Sequence, residues 1–313
     1  MLVTSRISQI VRSVLINSTT EQPFRYSSPK KNYEINNLDE GLDIDSIYRD
    51  LNSLVGLNNF KELVDEIKAY VRINKKRKEI NLTTEPLVFH MIFSGNPGTG
   101  KTTVARILGR LFKSLNILES GHVVEVERAD LVGEFVGQTA QKVKNKIEEA
   151  IGGILFIDEA YSLARGGEKD FGKEAIDTLV KAMEDHKNDL ILILAGYKKE
   201  MEYFLMSNPG LRSRFPIHLT FNDYSIDELL EIAEKMSKQR QYEITLEGKR
   251  ELLKILLHRL MENDREKFGN AREVRNIIEK SIRRQALRLS KKKNISKDDL
   301  IYLKAEDFIN HPE

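Results

Sequence analysis

The sequence predicts an α/β protein: a parallel five-stranded sheet sandwiched by helices, followed by a smaller C-terminal helical domain. Three observations carry this. Short apolar runs at 87–93, 122–126, 154–157, 190–195 and 217–221 alternate with helical stretches, and continuous apolar strands belong to parallel sheets covered on both faces. After Phe221 the strand runs stop and three helical stretches follow, about 226–240, 246–262 and 271–290. A glycine-rich turn, finally, separates the first strand from the helix after it.

Each element has its own signal. Between Asn59 and Ile80, Phe60, Leu63, Val64, Ile67, Tyr70, Val71 and Ile73 recur at helical spacing with basic residues between them. Helix 101–115 carries Val104, Ile107, Leu108, Leu111 and Phe112 on one stripe; helices 139–151 and 173–186 separate the third and fourth strands from their predecessors. Ser225 and Glu228 form a capping box that opens the helical domain. The expected division is an N-terminal extension and linker over 1–45, an α/β domain over 46–222 and a helical domain over 223–313. Within the extension, 21–38 gathers Pro, Ser and Asn and reads as linker. Residues 1–20 hold Arg6, Arg12 and no acid, a composition shared by organelle transit peptides and by amphipathic docking segments; the arginines exclude a secretory signal.

Composition removes several classes of function. The 313 residues include 50 Lys and Arg against 48 Asp and Glu, a formal charge of +2, so wholesale polyanion binding is not expected. The absence of cysteine excludes disulfides, thiolate metal sites and cysteine nucleophiles. No apolar run approaches the roughly 20 residues that span a bilayer, and a cytoplasmic protein is expected. The six histidines show no metal-ligand spacing.

The chemistry gathers at the first strand-to-helix turn. Gly95-Asn96-Pro97-Gly98-Thr99-Gly100-Lys101-Thr102 fits G-x-x-x-x-G-K-[ST], continued by Thr103. Its glycines let backbone N–H groups curl around phosphate oxygens, the helix N-terminus adds its dipole, Lys101 neutralises β/γ-phosphates and Thr102 can ligate Mg²⁺. The apolar strand Ile154–Ile157 ends in Asp158 and Glu159. In a phosphate-loop fold Asp158 would hold the Mg²⁺ shell and Glu159 would polarise the attacking water, which favours nucleotide hydrolysis over transfer to a small acceptor.

With these residues the chain resembles the AAA+ ATPases. Over Leu54 to about Phe308 it resembles the branch containing CbbX and stage V sporulation protein K, more closely the latter. GNPGTGKTTVAR at Gly95, ILFIDEAYSLARGG at Ile154, DFGKEAIDTLVKAMED at Asp170, LILILAGY at Leu190, NPGLRSRFP at Asn208 and NAREVRNIIEKSIRRQA at Asn270 occur in the family's order. The resemblance implies a homo-oligomeric ring, usually a hexamer, with ATP at the seam between subunits. Arg212 and Arg214 are then expected as arginine fingers, Arg214 preferred; the alternative is ordinary surface arginines. Arg272 is expected to sense the γ-phosphate, and Val55-Gly56-Leu57 to pack on adenine or to be an ordinary apolar turn. Phe135, with Val136 and Gly137, resembles a pore loop that grips an extended protein substrate; the competing reading packs Phe135 in the core. The loop 165–170 resembles a second pore loop, or is a solvated turn.

One departure stands out. The fourth strand ends in Ala195-Gly196-Tyr197, without the Asn or Thr that many AAA+ proteins use as a first sensor. Three readings stay open at this point: a motor that remodels a protein substrate, a motor or loader acting on nucleic acid, and an ATP-dependent interaction switch. Phe135 favours the first. The basic cluster of Arg283, Arg284, Arg288, Lys291, Lys292 and Lys293 favours the second, though it also suits a solvated helix end. The missing polar sensor favours the third.

Overall fold

The computed structural model describes residues 44–84, 87–165, 170–262 and 268–309. Most of the extension 1–45 and residues 166–169 of the second expected pore loop lie outside the described residues. Two helices come first, α1 (Ile44–Ser53) and α2 (Asn58–Glu79), then β1 (Met91–Gly95) and α3 (Lys101–Ser114). Next are β2 (Val123–Val126), the short α4 (Arg128–Leu131), α5 (Gln138–Ala150) and β3 (Ile154–Ile157). A 3-10 turn at Ala160–Ala164 leads to α6 (Gly172–Asp185), β4 (Ile191–Gly196), α7 (Lys198–Ser207), α8 (Pro209–Arg212) and β5 (Ile217–Phe221). The helical domain holds α9 (Ile226–Gln239), β6 (Glu243–Ile244), α10 (Leu246–Glu262), α11 (Asn270–Leu289), α12 (Lys297–Ile301), β7 (Tyr302–Leu303) and α13 (Ala305–Phe308).

The five strands β1 to β5 form one parallel sheet in the order β2-β3-β4-β1-β5. Its strands look uniformly apolar, yet their side chains divide strictly by alternation. Met91, Phe93, Phe156, Ile191 and Ile193 join the core beneath α1, α2 and α3. Ile92, Leu155, Ile157, Leu192 and Leu194 join the opposite core with Leu131, Val143, Leu179 and Phe204 from the other helices. A third core, with Leu229, Leu252, Val274, Leu303 and Phe308, belongs to the helical domain.

Two expectations need correction. The first strand starts at Met91 instead of Leu87, because Leu87 and Val88 are exposed and the buried His90 ring takes the Leu192 N–H at 3.0 Å in place of a backbone carbonyl. Strands also do not stop at Phe221: Glu243 and Ile244 pair in parallel with Tyr302 and Leu303. Two-residue strands carry no periodicity that a sequence can show.

Candidate nucleotide site

In an open parallel sheet, ligands bind beyond the carboxyl ends of the strands where the order reverses. Four connections meet there: 95–100 after β1, Asp158 and Glu159 after β3, Gly196 and Tyr197 after β4, and Asn222 to Tyr224 after β5. They border a cleft of about 410 Å³ whose lining includes Val55, Lys101, Thr102, Thr103, Asp158 and Arg272. Since β4 lies between β3 and β1, Tyr197 stands between the carboxylate pair and the glycine loop and faces the cleft.

Gly98 and Gly100 turn the loop with φ 70° and 102°, the left-handed region that favours glycine. The Lys101 ammonium donates to Gly95 O at 2.8 Å and Asn96 O at 3.0 Å. Burial lowers its pKa, Asp158 and Glu159 oppose that shift, and Arg272 adds to it. The Thr99 hydroxyl donates to Asn96 O at 2.7 Å. Asp158 Oδ1 accepts the Glu159 N–H at 3.0 Å. Glu159 itself sits at φ 46° and ψ 43°, a left-handed conformation uncommon for a residue with a Cβ and concentrated at functional sites. Its other side faces a second cleft of about 580 Å³ bordered by Arg128, Ser162 and Arg272. Arg272, in the first turn of α11, reaches both clefts.

Paired phosphate-loop glycines, a lysine, a threonine hydroxyl and a strand-end carboxylate form a donor set that suits a nucleoside triphosphate with a divalent cation. Among the described residues no cluster of three or more His, Asp or Glu could hold a metal alone, and Mg²⁺ commonly relies on one or two carboxylates plus substrate phosphates.

Residues 91–223 match the ATPase family associated with various cellular activities, and residues 225–313 match the AAA lid domain. The stage V sporulation protein K of Bacillus subtilis is 49% identical over 296 residues, covering 95% of this chain and 90% of that protein. The chain belongs to the AAA+ ATPases. Another AAA+ relative, the chloroplastic ribulose bisphosphate carboxylase/oxygenase activase of Cyanidioschyzon merolae, is 41% identical across 82% of this chain and 87% of its own length. The CfxQ protein of Xanthobacter flavus is 43% identical across 75% of this chain and 74% of its own. Two variants of RuvB from Thermotoga maritima share the fold, with TM-scores of 0.50 and 0.51 at 22% and 21% identity, over 80% of this chain and 70% and 69% of theirs. This AAA+ chain thus hydrolyses ATP and carries a helical lid.

The other residues expected from the sequence fall in three places. Val55 is buried and joins the lid core while bordering the cleft; Gly56 follows at φ 62°. Phe135 and Val136 stand out in solvent, 66% and 86% exposed, which removes the core-packing alternative. Gly137 follows at φ 83° with open space around it. Arg212 and Arg214 lie beyond β4 and α7, away from the chain's own cleft lining. Arg214 donates to the Glu184 carboxylate and to Gly210 O at 2.9 Å, whereas Arg212 is exposed and has no partner among the described residues.

Half of the lid's basic cluster, three residues of six, is engaged within the lid. Arg288 makes a bidentate pair with the buried Asp307, at 2.9 and 2.8 Å. Lys292 reaches Asp299 at 2.9 Å and Arg284 donates to Phe308 O at 3.2 Å. Sequence reasoning missed Asp223, Tyr224 and Asn270, which sit between the glycine loop and the lid. Their signal was position alone: the first two follow β5 at the carboxyl edge of the five-stranded sheet, and Asn270 stands two residues before Arg272.

No helix among the described residues is long and apolar enough to cross a membrane.

Proposed function

We propose that this AAA+ ATPase assembles as a homo-oligomeric ring, most simply a hexamer, and remodels or partly unfolds a protein substrate through a central pore, in the manner of a sporulation protein K-like factor. The observation that carries this reading is the loop at 133–137. Phe135 and Val136 are bulky apolar side chains left in solvent between Gly133 and Gly137. An aromatic tip grips an extended chain of any sequence by apolar contact, and flanking glycines let the loop travel with it.

Within the nucleotide site, Gly95 to Thr103 would cradle the phosphates with Lys101, and Val55 with Gly56 would flank the adenine. Thr102 and Asp158 would hold Mg²⁺, which when bound neutralises phosphate charge. Glu159 orients and deprotonates the attacking water, and Arg272 reports the γ-phosphate to the lid. Arg212 and Arg214 act on the neighbouring subunit, where a cation supplied in trans stabilises the charge of phosphoryl transfer. Arg214, the finger preferred from the sequence, must first leave Glu184, so the direct contact is assigned instead to the exposed Arg212. Nucleic acid is not the expected substrate, because Arg284, Arg288 and Lys292 are already engaged within the lid.

The test is the solution mass of Glu159→Gln by light scattering, with and without ATP and Mg²⁺, followed by capture of a labelled unfolded protein. A shift to about six subunits on adding ATP is expected, with capture lost in Phe135→Ala while its ATP binding persists. A mass that stays monomeric or dimeric, or capture undiminished by Phe135→Ala, would leave an interaction switch as the better description.

A further inference from the structure

Asp223 lies at the junction between β5 and the lid and has no part in the ATP chemistry above. Its carboxylate accepts the Asn96 side-chain amide, 3.0 Å to each oxygen, and the Asn270 side-chain amide at 2.8 Å. One group on the hinge therefore holds the phosphate loop and the first residue of α11 together.

The attachment extends along the loop. After Asn96, the Pro97 carbonyl accepts from Asn270 Nδ2 at 3.3 Å, the Gly98 carbonyl from the Ala271 N–H at 3.1 Å, and the Thr99 carbonyl from the Tyr224 hydroxyl at 3.1 Å. Burial, with Glu228 nearby, pushes the Tyr224 phenol up to about 12, which keeps it a donor. Four consecutive loop residues are thus each tied to the hinge or the lid. Gly98 fits only because it lacks a side chain: a Cβ there would meet Gly269 O at 2.1 Å. Asn270 closes the arrangement by accepting the Tyr224 N–H at 3.0 Å. It is completely buried and adopts φ 47°, a conformation that asparagine and glycine tolerate best.

We propose that Asp223 and Asn270 are positioning residues that clamp the phosphate loop to the lid, so that lid movement and nucleotide release are one coupled event. Anchoring the loop's carbonyls on the lid side helps present its N–H groups to the cleft. Asn96 is the relay. Its carbonyl is shared by Lys101, the phosphate-facing cation of the loop, and Thr99, while its side chain is held by Asp223. A lid that swings away strips the loop of its outer supports, and by reciprocity a loop that has gripped phosphate holds the lid.

Two variants separate this role from simple stability. Asp223→Asn leaves a single acceptor oxygen for two amides; Asn270→Gly keeps the left-handed backbone and removes the amide. In each, amide hydrogen exchange over 222–226 and 269–273 without nucleotide, release of a fluorescent ADP analogue, and the thermal midpoint are measured. Exchange and ADP release are expected to rise at least about fivefold, with the midpoint shifted by only a few degrees. The double variant should be no faster than the faster single one, as expected for residues in one network. Unchanged exchange and release in folded Asp223→Asn would overturn the proposal, as would two effects that multiply independently. Should Asp223→Asn fail to fold, Asn270→Gly decides on the same readouts.

Discussion

Glu159 combines an unfavourable backbone with a favourable position. Its left-handed conformation costs on the order of 1–3 kcal/mol, and the adjacent Asp158 carboxylate offsets part of this by accepting the Glu159 N–H. The constraint sets the side chain between two clefts. Glu159→Gln is expected to bind ATP with little change and to release phosphate at least about 100-fold more slowly, the usual weight of a positioned base; undiminished turnover would remove the residue from that role. His90 shows a different residue-scale effect. Burial lowers its pKa to about 4, only partly countered by a hydrogen bond to the Met183 backbone, so the folded chain keeps the ring neutral. From pH 6.5 down to 4 the unfolded chain takes up a proton that the folded one refuses; the associated stability is complete above about 6.5 and is lost as pH falls. Urea unfolding should show about 2 kcal/mol less stability at pH 5 than at pH 7.5 from this group. His90→Gln should flatten that dependence, and an identical slope in both proteins would dismiss the assignment.

At the scale of elements, the lid depends on a polar bond inside its core. Asp307 is 1% exposed and its charge is matched by Arg288, itself largely buried. Asp307→Ala leaves that guanidinium without its main partner and should cost about 3 kcal/mol, seen as an earlier unfolding transition of the lid; a loss below about 0.5 kcal/mol would mean solvent replaces the carboxylate. Neither residue stood out in the sequence as a pair, since 19 positions separate them. The α/β part was far more legible. Alternating apolar runs and striped helices repeat local rules, and Gly95 to Thr102 states its own turn. What stayed hidden has a common physical reason. The short α4, α8, α12 and α13 and the strands β6 and β7 are held by tertiary contact, not by periodicity, and Asn270 acquires its role only when α11 meets the glycine loop. Phe135 was ambiguous because an aromatic between glycines fits a core or a surface equally until the loop is placed.

For the whole molecule, the proposed ring assigns the exposed Arg212 to the active site of a neighbour. Arg212→Ala should lose roughly 1,000-fold or more in turnover yet bind ATP. Mixing it with Glu159→Gln subunits should restore part of the activity, because some seams then join an intact glutamate to an intact arginine. Two inactive proteins that stay inactive when mixed, despite shown co-assembly, would exclude action in trans. The small pairing of β6 with β7 bears on how such a molecule comes to exist. It joins residues 243–244 to residues 302–303, and Leu303 and Phe308 lie wholly within the lid core. A chain emerging from the ribosome can assemble its central sheet once β5 is out, but Ile244 lacks its strand partner and the lid core lacks two of its buried side chains until residues 302–308 follow. During that interval the lid exposes apolar surface to chaperones and proteases, so the helical domain matures later than the sheet that precedes it.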